Sequence, residues 1–202
     1  LYARRQRQMC IRDSFKAVKK AETLLLQTEV SKSYKTPAGN SEYCKNILKL
    51  VLGKDILNER SNKIGAIQIP GAGSGLRIAG ELIKNKLKNK LISIPNPTWG
   101  QQTFMFQKSG LKITKHSYYD NTNNFLNFED MILDLKKLKS GDALLLHGCC
   151  HNPTGADLNI DQWEEVAKIC NKNGIVPFID LVYQGLGRGV DEDVLGIRKL
   201  VK

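Results

Sequence analysis

Two apolar runs near the end of the chain restrict its fold more than any other feature. Ala143, Leu144, Leu145 and Leu146 lead into His147, and Ile175, Val176, Pro177, Phe178 and Ile179 lead into Asp180. Runs with so little polar interruption suit strands buried on both faces, as in a parallel sheet covered by helices. The segment between them has helical spacing. Asn159 with Gln162 three residues later forms a capping-box pattern, Trp163, Val166, Ala167 and Cys170 share one side, and Asn173-Gly174 marks the end. Strand, helix, strand in this order predicts an α/β fold: a mostly parallel sheet with helices on both faces.

The same alternation extends upstream. Val18, Ala21, Leu25 and Leu26 predict one helix, and Tyr43, Ile47, Leu48, Val51 and Leu52 predict a second that stops at Gly53. Residues 66–69 read as a short strand entering the turn Pro70-Gly71-Ala72-Gly73-Ser74-Gly75. Leu76, Ala79, Leu82, Ile83 and Leu87 line one face of the helix that follows. Residues 91–94 and 111–115 are expected as strands, and residues 125–138 as a helix.

Ligands of such sheets bind beyond the carboxyl ends of the strands. Gly71, Trp99, Asn152 and Asp180 all fall at such ends. The glycine-rich turn opens a helix, whose free N–H groups and positive dipole end fit a phosphate; a tight turn packing helix on strand is the plain alternative. A dinucleotide would call for an acid about 20 residues later, and residues 90–95 contain none. A carboxylate at the end of an apolar strand needs a cation nearby, and a protonated pyridine nitrogen is one such cation. Tyr183 and Asn152 can both donate to a phenolate oxygen on the same ring, and Trp99 offers it a flat face.

The bulk properties leave this picture standing. With 202 residues, 41% hydrophobic and 25% charged, the chain is long enough for one sizeable domain. No apolar stretch approaches the ~18 residues of a membrane span. The net charge of +11 raises nucleic-acid binding, but the lysines lie along polar helix faces with no aromatic residues interleaved, so neither nucleic acid nor membrane is expected as a partner. Five cysteines without regular spacing do not make a disulfide framework and fit a reducing compartment. In an extended strand His147, Cys149 and His151 would share a face, yet no second ligand pair has suitable spacing, so no metal is expected. Residues 1–14 carry Arg4, Arg5, Arg7 and Arg12, either as a transit segment or as an artefact, and are set apart from the fold.

Several stretches together resemble the aspartate aminotransferases of the pyridoxal-phosphate fold type I group. They are Val18-Lys19-Lys20-Ala21-Glu22, Glu42-Tyr43-Cys44-Lys45, Gly75-Leu76-Arg77-Ile78 and Asn96-Pro97-Thr98-Trp99-Gly100. Two more follow: His147-Gly148-Cys149-Cys150-His151-Asn152-Pro153-Thr154-Gly155 and Asp180-Leu181-Val182-Tyr183-Gln184-Gly185. The resemblance implies that residues 15–202 are part of the large domain that binds pyridoxal 5′-phosphate. It further implies that Asp180 pairs with the pyridine nitrogen, that Tyr183 and Asn152 bond the ring's 3-oxygen, and that Trp99 stacks on the ring. Trp99 and Asn152 also face the amino-acid and 2-oxo-acid substrates. Gly71, Ala72 and Gly73 take the phosphate-cup positions, Tyr34 reaches the phosphate of a homodimer partner, and His147 stands behind the aspartate.

Two positions depart from the family. Gly73 stands where a threonine hydroxyl is usual, leaving backbone N–H groups and Ser74 to serve the phosphate. Gln102 stands where a histidine supports the aspartate, so the hydrogen bonding of Asp180 is expected to differ. The resemblance also implies a Schiff-base lysine, in a Ser-x-x-Lys context, beyond Lys202, together with a small domain. The expected reaction of the complete protein is amino transfer from aspartate to 2-oxoglutarate in the cytoplasm or, alternatively, the mitochondrion. The 202 residues alone are expected to be inactive. A related aromatic amino-acid aminotransferase and a non-catalytic module for a phosphorylated ligand are the alternatives.

Overall fold

A computed structural model describes residues 15–34 and 36–201; the arginine-rich start, residues 1–14, lies outside them. Four strands form one parallel sheet, β1 (Leu91–Asn96), β2 (Lys112–Ser117), β5 (Ala143–His147) and β6 (Val176–Asp180), in the order β2-β1-β5-β6. A small antiparallel pair, β3 (Tyr119–Asp120) and β4 (Phe125–Leu126), stands apart. The helices are α1 (Lys16–Thr28), α2 (Ser41–Arg60), α3 (Ala72–Lys86), α4 (Gly100–Lys108), α5 (Phe128–Leu135), α6 (Ile160–Asn173) and α7 (Leu195–Val201). The expected α/β class, with helices on both sides of a mostly parallel sheet, is what the chain adopts.

Side chains alternate across the strands and so build two cores, one on each face. Ala143 and Leu145 join Ile92, Ile94, Leu76, Ile83, Phe106 and Leu111 under α3 and α4. Leu144 and Leu146 turn the other way, toward Met131, Leu135, Trp163, Val166 and Cys170 under α5 and α6. Phe106 and Phe178 meet edge to face at 5.5 Å between ring centroids, tying α4 to β6. The unbroken apolarity of residues 143–146 thus reflects a strand with no solvent side.

The local signals of α6 act as expected. Asn159 and Gln162 exchange both capping-box hydrogen bonds, and Gly174 closes the helix in a left-handed conformation (φ 66°). Other boundaries moved. Residues 66–69 form no strand and pair with none among the described residues; Gln68 N–H bonds the Ala38 carbonyl instead. Gly53 kinks α2 with non-helical angles, and the helix resumes and runs to Arg60. The helix expected from residue 125 begins at Phe128, because Phe125 and Leu126 pair with Asp120 and Tyr119 across a turn held by Asp120. Asn127 then caps α5, its side chain accepting the Asp130 N–H. Helix α4 was not anticipated; it buries Gln102 and Phe106 while Phe104 stays exposed.

Helix α7 packs on α6 at Gly196 and on α2 through Arg198, whose Nε donates to the Val51 carbonyl. A Cβ at Gly196 would run into the Trp163 ring, far inside contact distance. We expect Gly196→Ala to displace that indole and cost about 1–3 kcal/mol. Urea unfolding of the variant checks this; an unchanged midpoint would show that α7 does not seat on Trp163.

Candidate functional site

The carboxyl ends of β1, β5 and β6 surround a cavity of about 230 Å³ lined by Ala72, Trp99, Gln102, His147, Cys149, Asn152, Asp180, Val182 and Tyr183. Ala72, Trp99, His147, Asn152, Asp180 and Tyr183 were all expected in one site, and the fold gathers them from four separate loops and strand ends. Gly71 and Gly73 flank Ala72 at the start of α3. Tyr34 does not reach the cavity and is fully exposed.

Asp180 ends β6 directly across from His147 at the end of β5. Its Oδ2 accepts a hydrogen bond from the Gln102 amide nitrogen, which comes from α4. Gln102 is completely buried. Its Oε1 accepts the Thr98 hydroxyl at 2.5 Å and lies 3.1 Å from His147 Nε2. His147 Nδ1 accepts the backbone N–H of Asn152 at 3.1 Å. Burial, opposed by the charges of Asp180 and Asp157, lowers the His147 pKa.

Asn152 rides on a tightly held loop. His151 N–H donates to Asp157 at 2.8 Å, His151 Nδ1 meets the Thr154 hydroxyl at 2.8 Å, and Tyr118 donates its hydroxyl to the Ala156 carbonyl at 2.7 Å. The rings of Tyr118 and His151 stack at 4.0 Å, and those of His151 and His147 at 4.4 Å. The loop carrying Tyr183 is fastened by Asp193, whose carboxylate accepts the N–H groups of Gly185, Gly187 and Arg188 at 2.7 to 3.0 Å.

That carboxylate also lies beside the cysteines. The chain turns at Cys150 (φ 54°), so residues 147–151 are not an extended strand and His147, Cys149 and His151 do not present three ligands on one face. Among the described residues, Cys149, Cys150 and Asp193 do come within 4.8 Å of one another. However, Asp193 is engaged by three backbone donors, and the hydrogen bond with Cys150, followed by burial, pushes the Cys149 thiol up. The two cysteines thus sit beside the carboxylate that anchors the loop after Tyr183.

At the start of α3 the first i→i−4 bond runs from Gly75 N–H to the Gly71 carbonyl, leaving the Ala72, Gly73 and Ser74 N–H groups without helical acceptors. Gly71 adopts φ 89°, a conformation that disfavours any side chain. Ser74 points its hydroxyl at the Pro70 carbonyl, 3.2 Å away, and not outward. The helix end therefore offers three N–H donors and the positive end of a dipole, a set suited to a phosphate. With a flat Trp99 and a half-buried carboxylate beside it, the donor set fits a phosphorylated heteroaromatic ring.

Known proteins resemble the chain in sequence and fold. The family model for aminotransferase class I and II matches residues 7–202. The chain belongs to that family, which works with pyridoxal phosphate. It is 41% identical to an aspartate aminotransferase of Haemophilus influenzae over 182 residues, covering 90% of this chain and 46% of that protein. An aromatic-amino-acid aminotransferase of Paracoccus denitrificans is 39% identical, with 91% and 46% covered. Among solved structures, an aromatic amino acid aminotransferase with 3-indolepropionic acid matches with a TM-score of 0.88 at 39% identity, covering 94% of this chain and 48% of that one. Another, from Burkholderia pseudomallei and covalently bound to pyridoxal phosphate, matches with a TM-score of 0.87 at 29% identity, covering 92% and 46%. The chain thus spans less than half the length of these relatives.

The support around Asp180 and Asn152 was only partly foreseen. Gln102 was marked as a departure, but its bond to a residue 78 positions away has no local signal. Thr98, Asp157 and Asp193 were missed; each works by holding a neighbour.

Two histidines behind the site give a pH prediction. Burial lowers the pKa of His116 to about 3 and of His151 to about 2, and the Nε2 atom of each is buried without a partner among the described residues. Both are neutral when folded, whereas the unfolded chain protonates them near 6.5. Below that pH the unfolded state binds more protons, so their stabilising contribution, complete above about 6.5, is lost progressively toward pH 3. Between pH 7 and pH 5 each should cost on the order of 2 kcal/mol of stability. Denaturant midpoints at the two pH values test this, and equal midpoints would contradict it.

Proposed function

We propose that this chain supplies the cofactor-holding part of an aminotransferase that moves the amino group of L-aspartate to 2-oxoglutarate, giving oxaloacetate and L-glutamate. The observation that carries the proposal is the part-buried hydrogen bond from Gln102 to Asp180, which presents a fixed carboxylate to the cavity beside Trp99 and Tyr183.

Pyridoxal phosphate, when bound, supplies an electron-withdrawing pyridinium ring conjugated to the substrate's α-carbon. Asp180 would hold the proton on the ring nitrogen. Asn152 and Tyr183 would donate to the ring's 3-oxygen, and Trp99 would cover one face and keep water off it. The Ala72, Gly73 and Ser74 N–H groups would hold the phosphate. Asn152, with Trp99, would also orient the substrate's α-carboxylate. The lysine that attaches the cofactor belongs, on this reading, to a Ser-x-x-Lys beyond Lys202, so the 202 residues alone bind cofactor without turnover. Tyr34, fully exposed at the end of the segment after α1, would serve the phosphate of a homodimer partner; the exposed Leu24, Leu25 and Leu26 favour such a partner.

An aromatic amino-acid aminotransferase is the second reading. It is favoured by the 39% identity to such an enzyme, hardly below the 41% to an aspartate aminotransferase. Protein expressed from the reading frame continued past Lys202 separates the two: aspartate should outpace phenylalanine as donor to 2-oxoglutarate, and a reversed preference would favour the aromatic reading.

The cofactor site can be probed in the 202-residue chain with pyridoxamine 5′-phosphate, whose amine cannot condense with surface lysines. Asp180→Asn should weaken its binding at least about tenfold by removing the charge facing the ring nitrogen. Unchanged affinity would remove Asp180 from that role. Gly73→Ser should strengthen binding about threefold to tenfold. A Cβ at Gly73 would meet only Met105 Cε, at an ordinary 3.7 Å, so the added hydroxyl has room to face the phosphate. No gain would mean that the phosphate does not sit at the start of α3.

A further inference from the structure

The two groups proposed to grip the ring edge, Asn152 in a loop and Asp180 at a strand end, lie 28 positions apart in sequence, yet one set of hydrogen bonds joins them. Asn152 N–H donates to His147 Nδ1. An accepting Nδ1 carries no proton, so the proton of the neutral ring lies on Nε2. Nε2 lies 2.9 Å from Gln102 Nε2 and 3.1 Å from Gln102 Oε1, and only the oxygen can accept from it. The same oxygen takes the Thr98 hydroxyl, and the amide nitrogen donates to Asp180.

We infer that Gln102 is a positioning residue whose amide fixes His147 as the Nε2–H tautomer and joins Asn152 to Asp180 in one hydrogen-bonded chain of fixed direction. The inference gives the cofactor reading its detail, and that reading gives it its purpose. The amide cannot turn over: a flip would set its oxygen against the Asp180 carboxylate and its NH₂ against the Nε2–H of His147. Each group has one role only, so the direction is unique from the Asn152 backbone to the Asp180 oxygen. Gln102 has no proton to lose or gain, so its donation to Asp180 does not depend on pH. A histidine in its place would bring a titratable group into contact with both His147 and Asp180.

The account distinguishes Gln102 from a residue that merely fills space. Space filling needs volume, which leucine supplies. Positioning needs a donor and an acceptor at the two ends of one planar group. Asparagine has both, but its shorter side chain cannot span from His147 to Asp180 from the same backbone position.

Nitrogen-15 NMR of the histidine rings, with pyridoxamine 5′-phosphate titrations, tests this on the 202-residue chain. In the unsubstituted protein His147 should show a protonated Nε2 and a bare Nδ1 from pH 8 to pH 6. A proton on Nδ1 would overturn the inference without any variant being made. Gln102→Leu should change the His147 ring signals and weaken pyridoxamine 5′-phosphate binding about tenfold, and Gln102→Asn should do the same. Unaltered His147 signals with unaltered affinity in folded Gln102→Leu would reduce Gln102 to packing and overturn the inference. If the unsubstituted protein fails to bind the probe while His147 keeps the stated tautomer and responds to Gln102→Leu, the cofactor reading falls and the positioning role stands.

Discussion

A half-buried carboxylate at the end of a strand is costly unless its surroundings meet its hydrogen-bonding needs, and much of the cavity wall serves that purpose for Asp180. The β5–β6 register sets it opposite His147. Helix α4 brings Gln102 to its oxygen, and Thr98 and His147 hold the other end of that amide. The stack of His147, His151 and Tyr118 then continues into the loop that carries Asn152. The groups facing the cavity are thus fixed from behind by residues that do not themselves need to meet a ligand, a preorganisation that recognition of a rigid ring requires.

The same division of labour recurs around the rim. Asp193 gathers three backbone N–H groups and thereby shapes the loop after Tyr183. Asp157 takes the His151 N–H and fixes the start of the Asn152 loop. At the start of α3 no charged side chain lines the cavity among the described residues; the helix end itself offers the donors. The sheet's two cores, formed by alternate residues of β5, keep these strand ends and the α3 terminus in register with one another.

Much of this was legible in the sequence where a local pattern determines the outcome. The apolar runs at β5 and β6, the capping box of α6 and the glycine turn before α3 each impose their structure over a few residues. Asp180, Tyr183, Asn152 and Trp99 stood out because polar groups at strand ends converge in a parallel sheet. Residues 66–69 failed because a strand exists only with a partner, and none of the described residues pairs with them. The start of α5 was misplaced although Asp120 and Asn127, both turn and cap residues, lay in plain view. The Gln102–Asp180 bond could not be read, because its meaning arises only when α4 lies over the end of β6.

The central claim is that this chain binds a phosphorylated pyridine with the phosphate on the first turn of α3 and the ring between Trp99 and Asp180. The most direct measurement is a map of amide and indole NMR signals during titration with pyridoxamine 5′-phosphate. The account predicts shifts concentrated at Ala72, Gly73 and Ser74, at the Trp99 indole, and at Asn152, Asp180 and Tyr183. Shifts confined to other surfaces, or a saturating titration that leaves the α3 amides and Asp180 unmoved, would contradict it.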